Sequence, residues 1–115
     1  MHHVQFAAVG TYEPVGHHGV INRLLAGRAE GGVESVSVWH GQLEPGGSAD
    51  THVHETSEQI YVCISGAVEV EVPSGNAILG RGDTAILDAG EPHAVVNLHP
   101  SESAELLVIS VPALR

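Results

Sequence analysis

From about Glu34 onward, short runs rich in Val, Ile and Leu alternate with clusters of Gly, Pro, Asn and Asp, and helical periodicity is hard to find. The runs fall at Glu34–Leu43, Asp50–His54, Gln59–Ser65, Ala67–Val72, Asn76–Leu79, Thr84–Leu87, His93–Leu98 and Glu105–Val111. Between them lie turn-forming sequences: Glu44-Pro45-Gly46-Gly47, Ser65-Gly66, Pro73-Ser74-Gly75-Asn76, Gly80-Arg81-Gly82-Asp83 and Asp88-Ala89-Gly90-Glu91-Pro92. Strands this numerous and this short predict an all-β sandwich or barrel.

The faces of these strands can be read from alternation. Val68, Val70 and Val72 alternate with Ala67, Glu69 and Glu71, which gives one apolar and one acidic face. Gln59–Ser65 is apolar on both faces: Gln59, Tyr61 and Cys63 share one side and Ile60, Val62 and Ile64 the other. A strand apolar on both sides needs a second covering surface, so a homodimer is expected. Residues 1–33 are less regular, and Val20–Ala26 is expected to form at most a turn or two of helix. One domain over residues 1–115 follows, with an N-terminal arm over 1–33 and a β-barrel over 34–112.

Composition narrows the partners. The 14 acidic residues against four basic ones, none of them Lys, give a formal net charge of −10 and make nucleic acid and anionic membrane poor partners. No apolar run is long enough to span a bilayer and no signal-peptide order is seen, so a soluble cytoplasmic protein is expected. Aromatics are only 3% of the chain, which makes any aromatic found in a pocket a candidate for contact with a small-molecule substrate. The single cysteine, Cys63, lies in an apolar run and reads as a buried, inert thiol.

Nine histidines against one cysteine make imidazole the metal-binding resource. In His52-Val53-His54 the two imidazoles stand on one face of an extended segment, where they can bind one ion together. His93 offers a third imidazole at the mouth of another strand, and Gln59 stands at a spacing that could complete the set. Glu58 is the rival for the fourth position, a better ligand chemically, but alternation favours Gln59 because a one-residue slip moves a side chain to the opposite face. One divalent transition metal per chain, from Zn, Fe, Ni, Mn and Cu, suits three imidazoles and a side-chain oxygen better than Ca or Mg.

These residues resemble those of a single-domain cupin. Gly46, five residues, His52-Val53-His54, four residues, Gln59, six residues, Gly66 is similar to the first cupin motif, with Gln in place of its glutamate. Gly82, five residues, Asp88-Ala89-Gly90, two residues, His93, three residues, Asn97 is similar to the second, with Asp88 in place of a proline. The resemblance implies a cupin-type jelly-roll barrel with metal held by His52, His54, His93 and the residue at Gln59. It also implies a dimer.

For proton transfer, Tyr61 leads because alternation groups it with Gln59, and Glu58 and His40 are the other candidates. Trp39 and Asn97 are weaker pocket candidates. His2, His3, His17 and His18 are expected in solvent, with Gly16-His17-His18-Gly19 able to cover the barrel mouth, and His99 is expected at the surface. Arg81, in a turn, offers little as an anion clamp.

Three neutral imidazoles and a neutral amide leave the full charge on a divalent ion, which strengthens it as a Lewis acid and disfavours Fe(III) over Fe(II). Redox-neutral chemistry on a small oxygen-rich or carbonyl substrate is the leading expectation: a lyase, cyclase or isomerase, with polyketide cyclisation a specific case implied by the resemblance. A metal-dependent dioxygenase and a non-catalytic ligand-binding cupin are the alternatives, since one fold hosts many functions.

Overall fold

The computed structural model describes residues 1–115 and is all-β apart from one turn of 3₁₀ helix at Phe6–Ala8. Eight strands follow: β1 (His17–Ala26), β2 (Ser37–His52), β3 (Glu58–Ser65), β4 (Val68–Val72), β5 (Gly75–Leu79), β6 (Thr84–Leu87), β7 (His93–Val96) and β8 (Ala104–Val111). They form one eight-stranded, nearly closed sheet in the order β5-β4-β7-β2-β8-β3-β6, with β1 paired to β2, and every pairing is antiparallel. The fold is a jelly-roll barrel, as the resemblance implies. No helix is long and apolar enough to cross a membrane.

Two departures from the sequence expectations lie in the first half of the chain. The segment expected to reach at most a turn or two of helix is strand β1, whose residues Val20–Leu24 pair with Leu43–Trp39. Its apolar positions are too few to announce a strand alone; tertiary pairing along β2 decides the conformation. The expected break at Glu44–Gly47 is a bend inside one long strand. There His18 pairs with Ser48 and Val20 with Leu43, so the single residue Gly19 faces all four residues of the bend. Before the bend β2 pairs with β8 through Ser37–Leu43, and after it with β7 through Ser48, Ala49 and His52.

Asn97 holds this bend in place. Its backbone exchanges hydrogen bonds with Gly46 and Gly47 at 2.9 and 2.8 Å. Its buried side-chain amide donates to the carbonyls of Leu43, Glu44 and Glu102 at 3.3, 3.1 and 2.8 Å. Asn97, expected as a weak pocket candidate, is therefore structural. At the β3–β4 turn Gly66 adopts φ +70°, and a Cβ there would lie 2.8 Å from the Ser103 carbonyl.

The core is aliphatic, as so few aromatics dictate, and includes Leu43, Val68, Val70, Leu79, Val95 and Leu106. In β3 the alternation is as expected: Gln59, Tyr61 and Cys63 are buried, while Ile60, Val62 and Ile64 are only partly covered. Cys63 is fully buried, its thiol pushed up in pKa by burial, and it contacts the Ser65 and Gly66 carbonyls at 3.5 Å.

Candidate metal centre

The registry of β2 against β7 places His52 directly across from His93. Such cross-strand pairs hold their Cβ atoms within about 5 Å, so the two rings meet without help from a loop. Their centroids are 4.2 Å apart, and His54, just beyond the end of β2, brings a third ring to 5.0 Å from His52 and 5.7 Å from His93. One nitrogen from each ring can be chosen so that all three lie within 4.8 Å of one another. This three-histidine cluster is able to hold a metal ion.

Backbone carbonyls fix the tautomers. His52 Nδ1 donates to the Asp50 carbonyl and His93 Nδ1 to the Glu91 carbonyl, each at 2.8 Å. A carbonyl only accepts, so in the neutral ring the proton is on Nδ1 and the lone pair on Nε2, the arrangement a metal ligand requires. Neutrality is favoured by the surroundings. Burial lowers the pKa of His93, and burial together with the neighbouring His52 and His93 lowers that of His54 to about 4.

Gln59, on β3, stands beside the cluster. Its register partner on β8 is Ser110, and the Gln59 amide nitrogen donates to Ser110 Oγ at 2.9 Å. That leaves Gln59 Oε1 at 3.0 Å from His93 Nε2, so a carbonyl oxygen and an imidazole lone pair face each other in a buried site. Two acceptors at this distance are satisfied by a cation bound beside both or by a reversed amide. Turning the amide over would supply an N–H to His93 instead, so the orientation of this side chain depends on whether a cation is bound. The donor set fits a divalent transition metal.

A cavity of about 410 Å³ opens beside the cluster, lined by His52, His54, Gln59 and Tyr61. Three of the four aromatic residues line it: Tyr12, Trp39 and Tyr61. Trp39 Nε1 donates to Tyr12 Oη at 2.8 Å, which fixes both rings on the wall. Gly41 follows Trp39 on the inward face of β2, where a Cβ would come 3.1 Å from Asn22 Oδ1. The Tyr61 ring stands edge-on to His93 at 5.8 Å, and burial raises its phenol pKa well above the ordinary value.

Two residues expected at the chemistry are elsewhere. Glu58 precedes Gln59, so its side chain points to the opposite face of β3, where it is exposed and outside the cavity lining. It is neither a ligand nor a proton-transfer group in this geometry. His40 lies between the inward-facing Trp39 and Gly41 and so points outward; there its Nε2 bonds Glu105 Oε1 at 2.9 Å and Phe6 packs edge-on at 4.9 Å. His99 is half-exposed beside Glu102.

His17, expected in solvent, lines the cavity instead, with its ring 6.0 Å from that of His52. Burial lowers its pKa, and its Nδ1 bonds the Val15 carbonyl at 3.1 Å, leaving Nε2 as an acceptor. His18, the next residue in the strand, points away and binds Asp50 at 3.1 Å. Alternation could separate these two histidines only once the segment was known to be a strand. Asp50 is the one side-chain carboxylate in the cavity lining.

Residues 39–110 match the cupin domain family. The chain belongs to the cupin family. This cupin is 29% identical over 101 residues to the β-D-galactosidase Rv1717 of Mycobacterium tuberculosis, a match covering 88% of this chain and 86% of that protein. Its fold is similar to the polyketide cyclase RemF of Streptomyces resistomycificus, with TM-score 0.81, 24% identity and coverage of 96% of this chain and 79% of that one. It is also similar to a predicted oxalate decarboxylase from Thermotoga maritima, with TM-score 0.83, 21% identity and coverage of 96% and 99%. Relatives of one fold thus carry different named activities, and the site has to decide between them.

Proposed function

We propose that this cupin is a metal-dependent enzyme that performs redox-neutral, Lewis-acid chemistry on a small carbonyl or oxygen-rich substrate, with His52, His54, His93 and Gln59 holding one divalent ion. The observation that carries the reading is the Gln59 amide oxygen turned onto His93 Nε2, which makes every donor of the set neutral. When bound there, the ion supplies Lewis acidity toward a substrate oxygen. His17 is a neutral imidazole with a free acceptor nitrogen in the same cavity and serves as the base that takes a proton from the carbon next to the carbonyl. Tyr61, which keeps its proton because it is buried, donates a hydrogen bond to the substrate oxygen. Trp39 and Tyr12 hold the apolar part of the substrate and exclude water from it.

The polyketide cyclase among the structural neighbours accords with enolate chemistry of this kind. Glycoside hydrolysis by the usual pair of carboxyl groups finds no such pair here, since Asp50 alone lines the cavity and it is bonded to His18. The test is exchange of the α-hydrogens of butyrophenone in D₂O, followed by NMR. Zinc-loaded protein should accelerate the exchange, His17→Ala should remove the acceleration, and Gln59→Glu at equal zinc occupancy should slow it because the added charge weakens the ion as a Lewis acid. Dioxygen uptake by the Fe(II) form with no exchange by the zinc form would make the dioxygenase reading correct instead. Binding without exchange under either metal would make the protein a non-catalytic cupin.

A further inference from the structure

The chain has four arginines and no lysine against 14 acidic residues, so each cation has abundant carboxylates to meet. Arg28 pairs with Glu34 at 3.0 Å. Arg23 lies 4.3 Å over the Phe6 ring, on the outer face beside His40, and Arg81 sits in the turn before β6. Only Arg28 of the four is held in a salt bridge, and Arg115 alone lines the cavity, with no carboxylate paired to it.

Its position is built by the barrel. Ser37 Oγ, fully buried at the start of β2, accepts the backbone N–H of Leu114 at 2.7 Å and of Arg115 at 3.1 Å. The Arg115 carbonyl accepts the Arg28 N–H at 2.7 Å, and Gly27 is required beneath it because a Cβ would collide with that carbonyl. The guanidinium then lies over the Tyr12 ring at 4.8 Å, on the phenol that receives the Trp39 N–H. Stacking on an aromatic face orients the plane of a guanidinium and leaves the N–H donors on its edge available for a planar, two-oxygen acceptor. The lining carboxylate, Asp50, is already bonded through both oxygens to His18, at 3.2 and 3.1 Å.

We propose that Arg115 is a specificity-determining residue that receives a carboxylate of the substrate, so that the cavity takes small organic monoanions carrying a ketone or hydroxyl group. The proposal rests on the metal-centre reading only for the second contact, between the ketone or hydroxyl oxygen and the ion. A carboxylate fits better than a phosphate dianion. Arg115 is the one lysine-type or arginine-type cation in the lining, and a chain of net charge −10 repels a second negative charge.

The test uses 3-benzoylpropionate and butyrophenone, phenyl ketones that differ by a terminal carboxylate in place of a methyl group. Calorimetric titration of the zinc-loaded protein should give at least about tenfold tighter binding of 3-benzoylpropionate. Arg115→Met should abolish that preference while the melting temperature is retained, because the backbone anchors do not involve the side chain. Arg115→Lys should keep part of it. Equal affinity for the two ketones, no binding of 3-benzoylpropionate, or a preference that survives in Arg115→Met would overturn the proposal. So would displacement of 3-benzoylpropionate by inorganic phosphate more readily than by acetate. Repeating the titrations on metal-free protein separates the two readings. If zinc leaves both affinities unchanged while Arg115→Met still removes the preference, the metal-centre reading fails and the anion site stands.

Discussion

The candidate centre sets the neutral amide of Gln59 beside imidazoles of which His54 and His93 are held below their ordinary pKa, and the latter feature bears on pH. Burial, then the neighbouring His52 and His93, pull His54 from 6.5 to about 4. Between those pH values the unfolded chain binds a proton at this histidine that the folded chain refuses. Its contribution therefore leaves stability intact above about 6.5 and erodes it as pH falls toward 4, and His93 and His17 act in the same direction. Urea denaturation of the metal-free protein should show its midpoint falling steadily across that window; a midpoint independent of pH there would contradict the placement of these rings. A second expectation separates inward from outward histidines. His40→Ala removes the hydrogen bond to Glu105, whose carboxylate is open to water, at a cost on the order of 1 kcal/mol. It should leave metal content unchanged, since the ring lies outside the cavity; loss of metal from a folded His40→Ala protein would show that the sheet face has been assigned wrongly.

At the level of strands, much of the site could be read in advance because β-structure converts sequence spacing into position so directly. Alternation alone put Gln59 with Tyr61 and set Glu58 on the other face, and the strand pair carrying His52, His54 and His93 was visible as two spaced motifs. Other features were not legible for identifiable reasons. Strand β1 is specified by pairing with β2 rather than by its own composition, so His17 could not be assigned to a face. The bend at Glu44–Gly47 has the sequence of a turn, and only the partner change from β8 to β7 and the Asn97 clamp make it part of one strand. The face taken by His40 was not legible because an isolated strand position gives no sign of which face is the interior. Arg115 had no periodic context at all. The same alternation leaves a row of Val38, Ile109, Ile60 and Ile86 side by side on the outer face of β2, β8, β3 and β6, with Ile86 67% exposed. We propose that a second copy covers this row. Light scattering at micromolar concentration should give about twice the chain mass of 12.0 kDa, and Ile86→Glu should return it to that of one chain; a wild-type monomer would contradict the proposal.

Over the whole molecule, the barrel, the metal and the charge are linked. The three histidines come from the end of β2 and the start of β7, so an ion held there would tie these strands together in the folded chain. At free metal about a thousandfold above Kd, mass action adds roughly 4 kcal/mol, which for a domain of this size raises the melting temperature by about 10–20 °C. Differential scanning calorimetry of verified apo and zinc-loaded protein checks this, and coincident transitions would argue against a site of that affinity. The central claim is that His52, His54, His93 and Gln59 hold one divalent ion, and it is tested most directly by metal stoichiometry. Plasma emission analysis after dialysis against zinc should find one ion per chain in the wild type and none retained by a folded His93→Ala protein. A full equivalent retained by that variant, or a wild type that binds no ion at all, would contradict the account.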